Sequence, residues 1–479
     1  MRKWVAVAIT LAAIAFIVFF LYERSVAPTL DTNPSPPQAE APVKLRSFSD
    51  AHGHEAQFST PLLDAFNYPG DRDICERFDT LKAALGPYDV LNVGDCGDLS
   101  SLPSVDKSVR LTKLAQQLYT LSSANPQQSE DEKDGDIALA LSSLKEALDV
   151  LPPDAATTAS AVLESNWLAG LTSDHFPHYD PPFLFGSAFA IEAGEAQLTL
   201  CPLVGRDDCA GYIPPGLIDA LTEVGRWRSN DAPLVRAADL LEQRNANTKD
   251  ATTEQQLSFA EDFSAALGYA AEIVTGDQSI AYLRRGVAPM AQWLEANQHG
   301  ATDYMLSRAT TSLGAQYGRI ADRTNDKADA EKAVKYDSWA YQLKQGISQT
   351  DGWAALANLG DSVLLKAEID HDEAGFRTAL QHHRDALAMA QKIGDQEDIV
   401  YSKMKLARTL LHYEQAPDLS LTKDDRVAML NESITLAREI IPFMDKTGTK
   451  VYANITRDIL SAAEKNLTAL QADASKSGH

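Results

Sequence analysis

Residues 353–386 read WAALANLGDSVLLKAEIDHDEAGFRTALQHHRDA. Leu356, Leu359, Gly360 and Val363 fall on one helical face, and after a connection Ala379, His383 and Ala386 share another at i, i+4, i+7. Two amphipathic helices joined by a turn make a helical hairpin. The small residues Gly360, Ala379 and Ala386 let the two helices approach closely. The same frame recurs as Leu267-Gly268, Leu313-Gly314, Leu359-Gly360 and Leu406-Ala407, at spacings of 46, 46 and 47 residues. Trp293 and Trp339, Ala333 and Ala379, and Ala340 and Ala386 are each 46 apart. A fixed period of this length means stacked supersecondary units, because one unit cannot bury its apolar face alone.

Leu313-Gly314-x-x-Tyr317 resembles the helix A signature of the tetratricopeptide repeat family. Ala333-x-x-x-Asp337-x-x-Ala340 and Ala379-x-x-x-His383-x-x-Ala386 resemble its helix B signature in their small residues, with polar groups where the family has an aromatic. The unit of 46 residues exceeds the family period of about 34, which longer helices or longer loops would both explain. This is a degenerate, expanded, TPR-like pattern over 251–470. The resemblance implies a groove lined by helix A faces that binds peptides or partner helices. The candidate groove residues are Tyr269, Gln316, Arg319, Asn358 and Asp361.

Working outward to the N-terminus, residues 4–22 (WVAVAITLAAIAFIVFFLY) hold no charge. At about 1.5 Å per residue they span about 28 Å, the thickness of a bilayer's hydrocarbon core. Arg2 and Lys3 precede the run, which places the N-terminus in the cytoplasm. Cleavage as a signal peptide is disfavoured, since the one small-x-small site, Ser25-Val26-Ala27, precedes Pro28. Residues 1–24 are therefore expected to be a cytoplasmic stub and signal anchor. Residues 25–60, with Pro28, Pro34, Pro36, Pro37 and Pro42, read as a tether.

Residues 61–250 read as a helical domain. Apolar stripes run along 74–85, Leu111–Leu121 and Ile137–Leu151, and Asn125–Gly135 reads as a polar loop. The insert 170–216 is rich in Pro and aromatic residues, and within it Phe189–Leu200 alternates around Ala193-Gly194 as a short β-hairpin would. The last apolar stripe, Ile455 to Leu470, reads as a C-terminal cap before a polar tail at 471–479. The fold class expected is all-α, with one transmembrane helix, a TPR-like array and a small irregular or β-hairpin insert.

Cys75, Cys96, Cys201 and Cys209 all follow the apolar run, which suits an oxidising compartment. Cys75–Cys96 and Cys201–Cys209 are the expected disulfides by proximity in sequence, although sequence does not separate the three possible pairings. A net charge of −24 argues against nucleic acid and against an anionic membrane surface. Asn431, Asn454 and Asn466 fit the glycosylation acceptor pattern but lie inside apparent helices.

Phosphate-binding, nucleophile-elbow, zincin and dinucleotide signatures are absent. Asp174-His175-Phe-Pro-His178-Tyr-Asp180 carries metal-ligand types, yet Pro177 breaks any helix between the histidines and no distant motif completes a set. His52 and His54 read as solvated loop residues, and the adjacent His382 and His383 as structural. The expectation is a scaffold of a bacterial inner membrane whose periplasmic array binds other envelope or membrane proteins, with no cofactor, metal or catalytic residues. The alternative is a membrane-anchored enzyme or metal-dependent hydrolase with its site in 170–216. A third reading is an envelope protein that self-assembles through its repeats.

Overall fold

A computed structural model describes residues 44–65, 73–85, 99–124, 128–170, 184–205, 212–214, 216–248, 250–417, 419–447 and 450–476. The expected anchor at 4–22, Cys96, Cys209 and the 174–180 cluster lie outside them. Among the described residues no helix is long and apolar enough to cross a membrane. The chain divides into two compact units between Ala251 and Thr252.

The first unit opens on an antiparallel hairpin of β1 (Leu45–Ser49) and β2 (Glu55–Ser59), with Phe48 opposite Ala56 and Arg46 opposite Phe58. This corrects the reading of 25–60 as tether throughout. Arg46 and Phe48 alternate with exposed neighbours, as do Ala56 and Phe58, so each strand buries one face. Gly53 takes the positive φ that the turn needs. Arg46 is buried and donates to Thr60, Asp64 and Asp149, which ties the hairpin to two helices.

Among the described residues eight α-helices follow: α1 (Pro61–Ala65), α2 (Ile74–Leu85), α3 (Ser104–Ala124), α4 (Glu130–Asp149), α5 (Ala156–Gly170), α6 (Leu184–Leu200), α7 (Leu217–Trp227) and α8 (Asp231–Asn247). The stripes Ile74/Phe78/Leu81 and Leu111/Leu114/Leu118 bury into one core with Leu141, Leu144 and Leu148. Two further expectations are corrected here. Glu130–Gly135, read as part of a polar loop, is helix, because Ser129 and Glu132 form a capping box that starts α4 at Glu130. Phe189–Leu200 is helix rather than hairpin. Phe189, Ala190, Ala193, Ala196 and Leu200 are buried, and a Cβ on Gly194 would meet Leu217 at 2.9 Å. That glycine serves close helix packing, and a helix apolar on most sides mimics strand alternation over short windows.

The second unit is the repeat array. It comprises α9 (Thr253–Ile273), α10 (Asp277–Asn297), α11 (Asp303–Thr324), α12 (Lys327–Lys344), α13 (Gln349–Asp370), α14 (Glu373–Ile393), α15 (Gln396–Gln415), α16 (Lys423–Thr447) and α17 (Lys450–Lys476). Each helix packs on the next, and α9, α11, α13, α15 and α17 also pack on one another in sequence, forming a continuous A layer. The longer period comes from helix length: α11 and α13 each run 22 residues, and only two residues join each to its partner. The boundaries are written in capping side chains. Thr252, Thr302, Asp326, Ser348, Asp372 and Asp395 accept from backbone amides, each contributing about 0.5–2 kcal/mol. The helix α17 extends through the expected polar tail to Lys476, and its Ile459 and Ala463 are buried against α15 and α16.

Candidate functional site

The A layer positions the candidate residues. A cavity of about 440 Å³ opens on it, lined by α11, α13 and α15 with Asp337 from α12. Arg319, Asn358 and Asp361 line this cavity. Tyr269 and Gln316 do not; both are buried, and Gln316 Nε2 donates to the Ser264 carbonyl at 3.1 Å.

In the α11–α12 and α13–α14 hairpins, the frame glycine of helix A faces the polar residue that stands in for the family's helix B aromatic. A Cβ on Gly314 would lie 2.1 Å from Asp337 Oδ1, and one on Gly360 would lie 2.5 Å from His383 Nε2. Asp337 and His383 are therefore packing residues that also bring polar chemistry to the A face. Asp337 accepts a hydrogen bond from the Ser362 hydroxyl. Its carboxyl is pushed up to about 7, chiefly by burial and further by Asp361, against the lowering effect of Ser362 and Lys405. His383 Nδ1 lies 2.7 Å from Thr409 Oγ1, and its Nε2 lies 3.4 Å from Asp361.

Asp361 is the hub. Burial would raise its pKa, but Lys405, Arg408 and His383 outweigh that and hold it well below the usual carboxylate range. Lys405 is buried, and its ammonium lies 4.7 Å from the Tyr401 ring centroid. Next along the groove, Glu368 pairs with His412.

These pairs follow a rule that sequence reading missed. Glu261 pairs with Arg308, Glu272 with Arg319 at 3.3 Å, and Asp361 with Arg408 at 3.2 Å, each 47 residues apart. An acid one period before a base, on adjacent A helices, was a signal available in the sequence.

Elsewhere, Cys75 and Cys201 are each disulfide-bonded, and among the described residues no cysteine is free. Their expected partners lie outside the described residues. His54 sits in the exposed hairpin turn with Nδ1 2.7 Å from Asp50. His382 is half-buried and its pKa is lowered, first by burial and then by His383. Among the described residues no group of three or more His, Cys, Asp or Glu is placed to hold a metal ion. Asn431 and Asn454 are exposed on α16 and α17, while Asn466 donates to Glu414.

The chain makes a helical-repeat array by its own geometry. No family model and no curated relative matches it. Among solved structures it is similar to a signal-transduction ATPase with a tetratricopeptide repeat sensor from Pyrococcus horikoshii, at 12% identity and TM-score 0.32, covering 78% of this chain and 47% of that one. The chain thus spans about half the length of that protein. It is also similar to a circular tandem repeat protein, at 14% identity and TM-score 0.19, covering 85% of this chain and 91% of that one. A nuclear import adaptor of S. pombe is similar at 13% identity and TM-score 0.20, covering 68% of this chain and 99% of that one. At these TM-scores the likenesses carry no argument, and the class rests on the packing described above.

Proposed function

We propose that this chain is a scaffold that binds other proteins through the A layer of its array, holding a partner segment across α11, α13 and α15. The observation that carries this reading is the cavity of about 440 Å³ on that layer, lined by charged side chains from three successive repeats. Its size falls in the range of ligand sites, about 300–1,000 Å³. The chain acts by binding rather than by turnover. The charge-free run 4–22 behind Arg2 and Lys3 supports an anchor in a bacterial inner membrane, with the array in the periplasm and other envelope or membrane proteins as partners. Two disulfide-bonded cysteines beyond that run favour the same compartment.

In-cell photocrosslinking tests this. A crosslinking residue at position 358, on the cavity, is compared with one at position 331, exposed on α12. A defined set of envelope proteins captured from 358 but not from 331, and lost on deletion of 252–476, is the expected result. Equal capture from both positions, or capture that survives the deletion, overturns it. Protease treatment of spheroplasts tests the topology: an array protected from external protease overturns the periplasmic assignment.

A further inference from the structure

The A-layer ladder of ion pairs has a missing rung. Glu261–Arg308 and Glu272–Arg319 join α9 to α11, and Asp361–Arg408 and Glu368–His412 join α13 to α15. Among the described residues no ion pair joins α11 to α13. The repeat frame shows what is absent. Arg319 and His412 stand six residues after Leu313 and Leu406, and the same place on α13 is Leu365. The acid of the rung is present: Asp322 stands nine residues after Leu313, as Glu368 stands nine after Leu359.

Asp322 is exposed and has no cationic partner among the described residues. Asp337, 3% exposed, has one oxygen on Ser362, while Oδ1 accepts no hydrogen bond among the described residues. Asp322, Asp337 and Leu365 all line the cavity. The lining arginines are already engaged, Arg319 by Glu272 and Arg408 by Asp361. A buried carboxylate with no cation in direct contact is a costly arrangement that a guest positive charge relieves.

We propose that this cavity receives the side chain of a lysine or arginine from a partner segment, its charge drawn to Asp322 and Asp337, with which no base of the array forms an ion pair among the described residues. The inference rests on the groove reading above and names the chemistry of its ligand. A guanidinium, with a planar fork of donors, can take one carboxylate bidentately, and an ammonium can take it as a point charge. Asp337 faces Asp361 and Ser362 from α13, Lys405 from α15, Lys344 on its own helix, and Arg319 and Asp322 from α11 across the cavity. With that carboxyl titrating near 7, a guest cation displaces its proton, so binding tightens as pH rises through neutrality.

The test is an NMR titration of the full chain with a capped Gly-Ser-Arg-Ser-Gly peptide, beside copies in which citrulline or glutamate replaces arginine. The readout is the amide shifts of Gly314, Gly318 and Ser362. The arginine peptide is expected to bind about tenfold or more tighter than the citrulline peptide, the scale of one charged hydrogen bond. Asp337→Asn and Asp322→Asn each weaken it, and Leu365→Arg abolishes it by supplying the missing base. Asp322→Asn and Leu365→Arg leave Asp337 in place and decide the question if Asp337→Asn fails to fold. Equal binding of arginine and citrulline peptides, undiminished binding to Leu365→Arg, or no binding at about 10 mM peptide, weaker than any specific contact of this kind, overturns the proposal. If position 358 still crosslinks to partners in that event, the ligand chemistry is wrong and the groove stands; if it does not, both fall.

Discussion

Gly314→Ala adds one methyl group to α11 and should destabilise the array, although alanine is the better helix former. The new Cβ would sit 2.1 Å from Asp337 Oδ1 and 2.5 Å from its Cγ. Ordinary non-bonded contact is about 3.5 Å, so the carboxylate must retreat by more than about 1 Å. Asp337 is 3% exposed with Ser362 on its other oxygen, so a retreat into the cavity it lines breaks that hydrogen bond. Overpacking costs about 1–3 kcal/mol, and losing the Ser362 hydrogen bond to a charged acceptor adds about 1.5–3. Helix propensity returns about 1 kcal/mol. The expected net loss is about 1.5–5 kcal/mol, read from urea unfolding of the purified protein. Gly318→Ala, one turn along the same helix, is the control. Its Cβ meets only the Ala333 methyl, at 4.0 Å, and should stabilise by about 0.5–1 kcal/mol. Adding Asp337→Ala to Gly314→Ala should recover part of the loss, giving a coupling of about 1 kcal/mol or more. Gly314→Ala as stable as Gly318→Ala would refute the packing argument.

Other expectations follow from the buried charges. The Asp337 carboxyl is raised from 3.8 to about 7, so its contribution to stability is complete below the unfolded value and is lost as pH rises to the folded one. The wild type should therefore lose stability relative to Asp337→Asn by up to about 1.4 kcal/mol per pH unit between those values; parallel urea curves at each pH check it, and a pH-independent difference refutes it. Asp361→Asn strands the buried Lys405 and should cost about 3–5 kcal/mol, with Lys405→Met recovering much of it in the double variant. In the first unit, Glu192 accepts from the Leu62 and Leu63 amides at 2.7 and 3.1 Å, and Glu192→Ala should cost about 1–2 kcal/mol, with loss of hydrogen-exchange protection at those two amides.

The array was legible because its frame repeats. Leu267, Leu313, Leu359 and Leu406 are the buried helix A residues that the spacing identifies, and capping residues mark most helix starts. Two elements were hidden for opposite reasons. The β1–β2 hairpin follows a proline-rich stretch whose composition masks the alternation of LRSFS and EAQFS. The helix α6 is so uniformly apolar that no 3.6-residue stripe stands out, and Gly194 resembles a turn until Leu217 is seen against it. At the candidate site, Arg319, Asn358 and Asp361 line the cavity. Tyr269 and Gln316 have the same frame logic but are buried, since their rotation about the helix axis depends on superhelical geometry that sequence does not encode locally. Asp337 looked like a departure from an aromatic signature. Its meaning emerges only with Gly314 opposite, because a small residue on one helix is what permits a carboxylate on the next.

The paired charges also limit how such an array can grow. Duplication of the single unit 349–394 would set a copy of α13 behind the original. In the repeat frame, the places held by Lys405 and Arg408 would then be filled by Asn358 and Asp361. Asp361 would meet its own copy, acid against acid, with neither the lysine nor the arginine and only His383 beside it. A tandem copy that also carried α15 would bring the matching bases with it. The hairpins are therefore not interchangeable cassettes, and the smallest length of gene that can be copied without a charge conflict is two repeats rather than one.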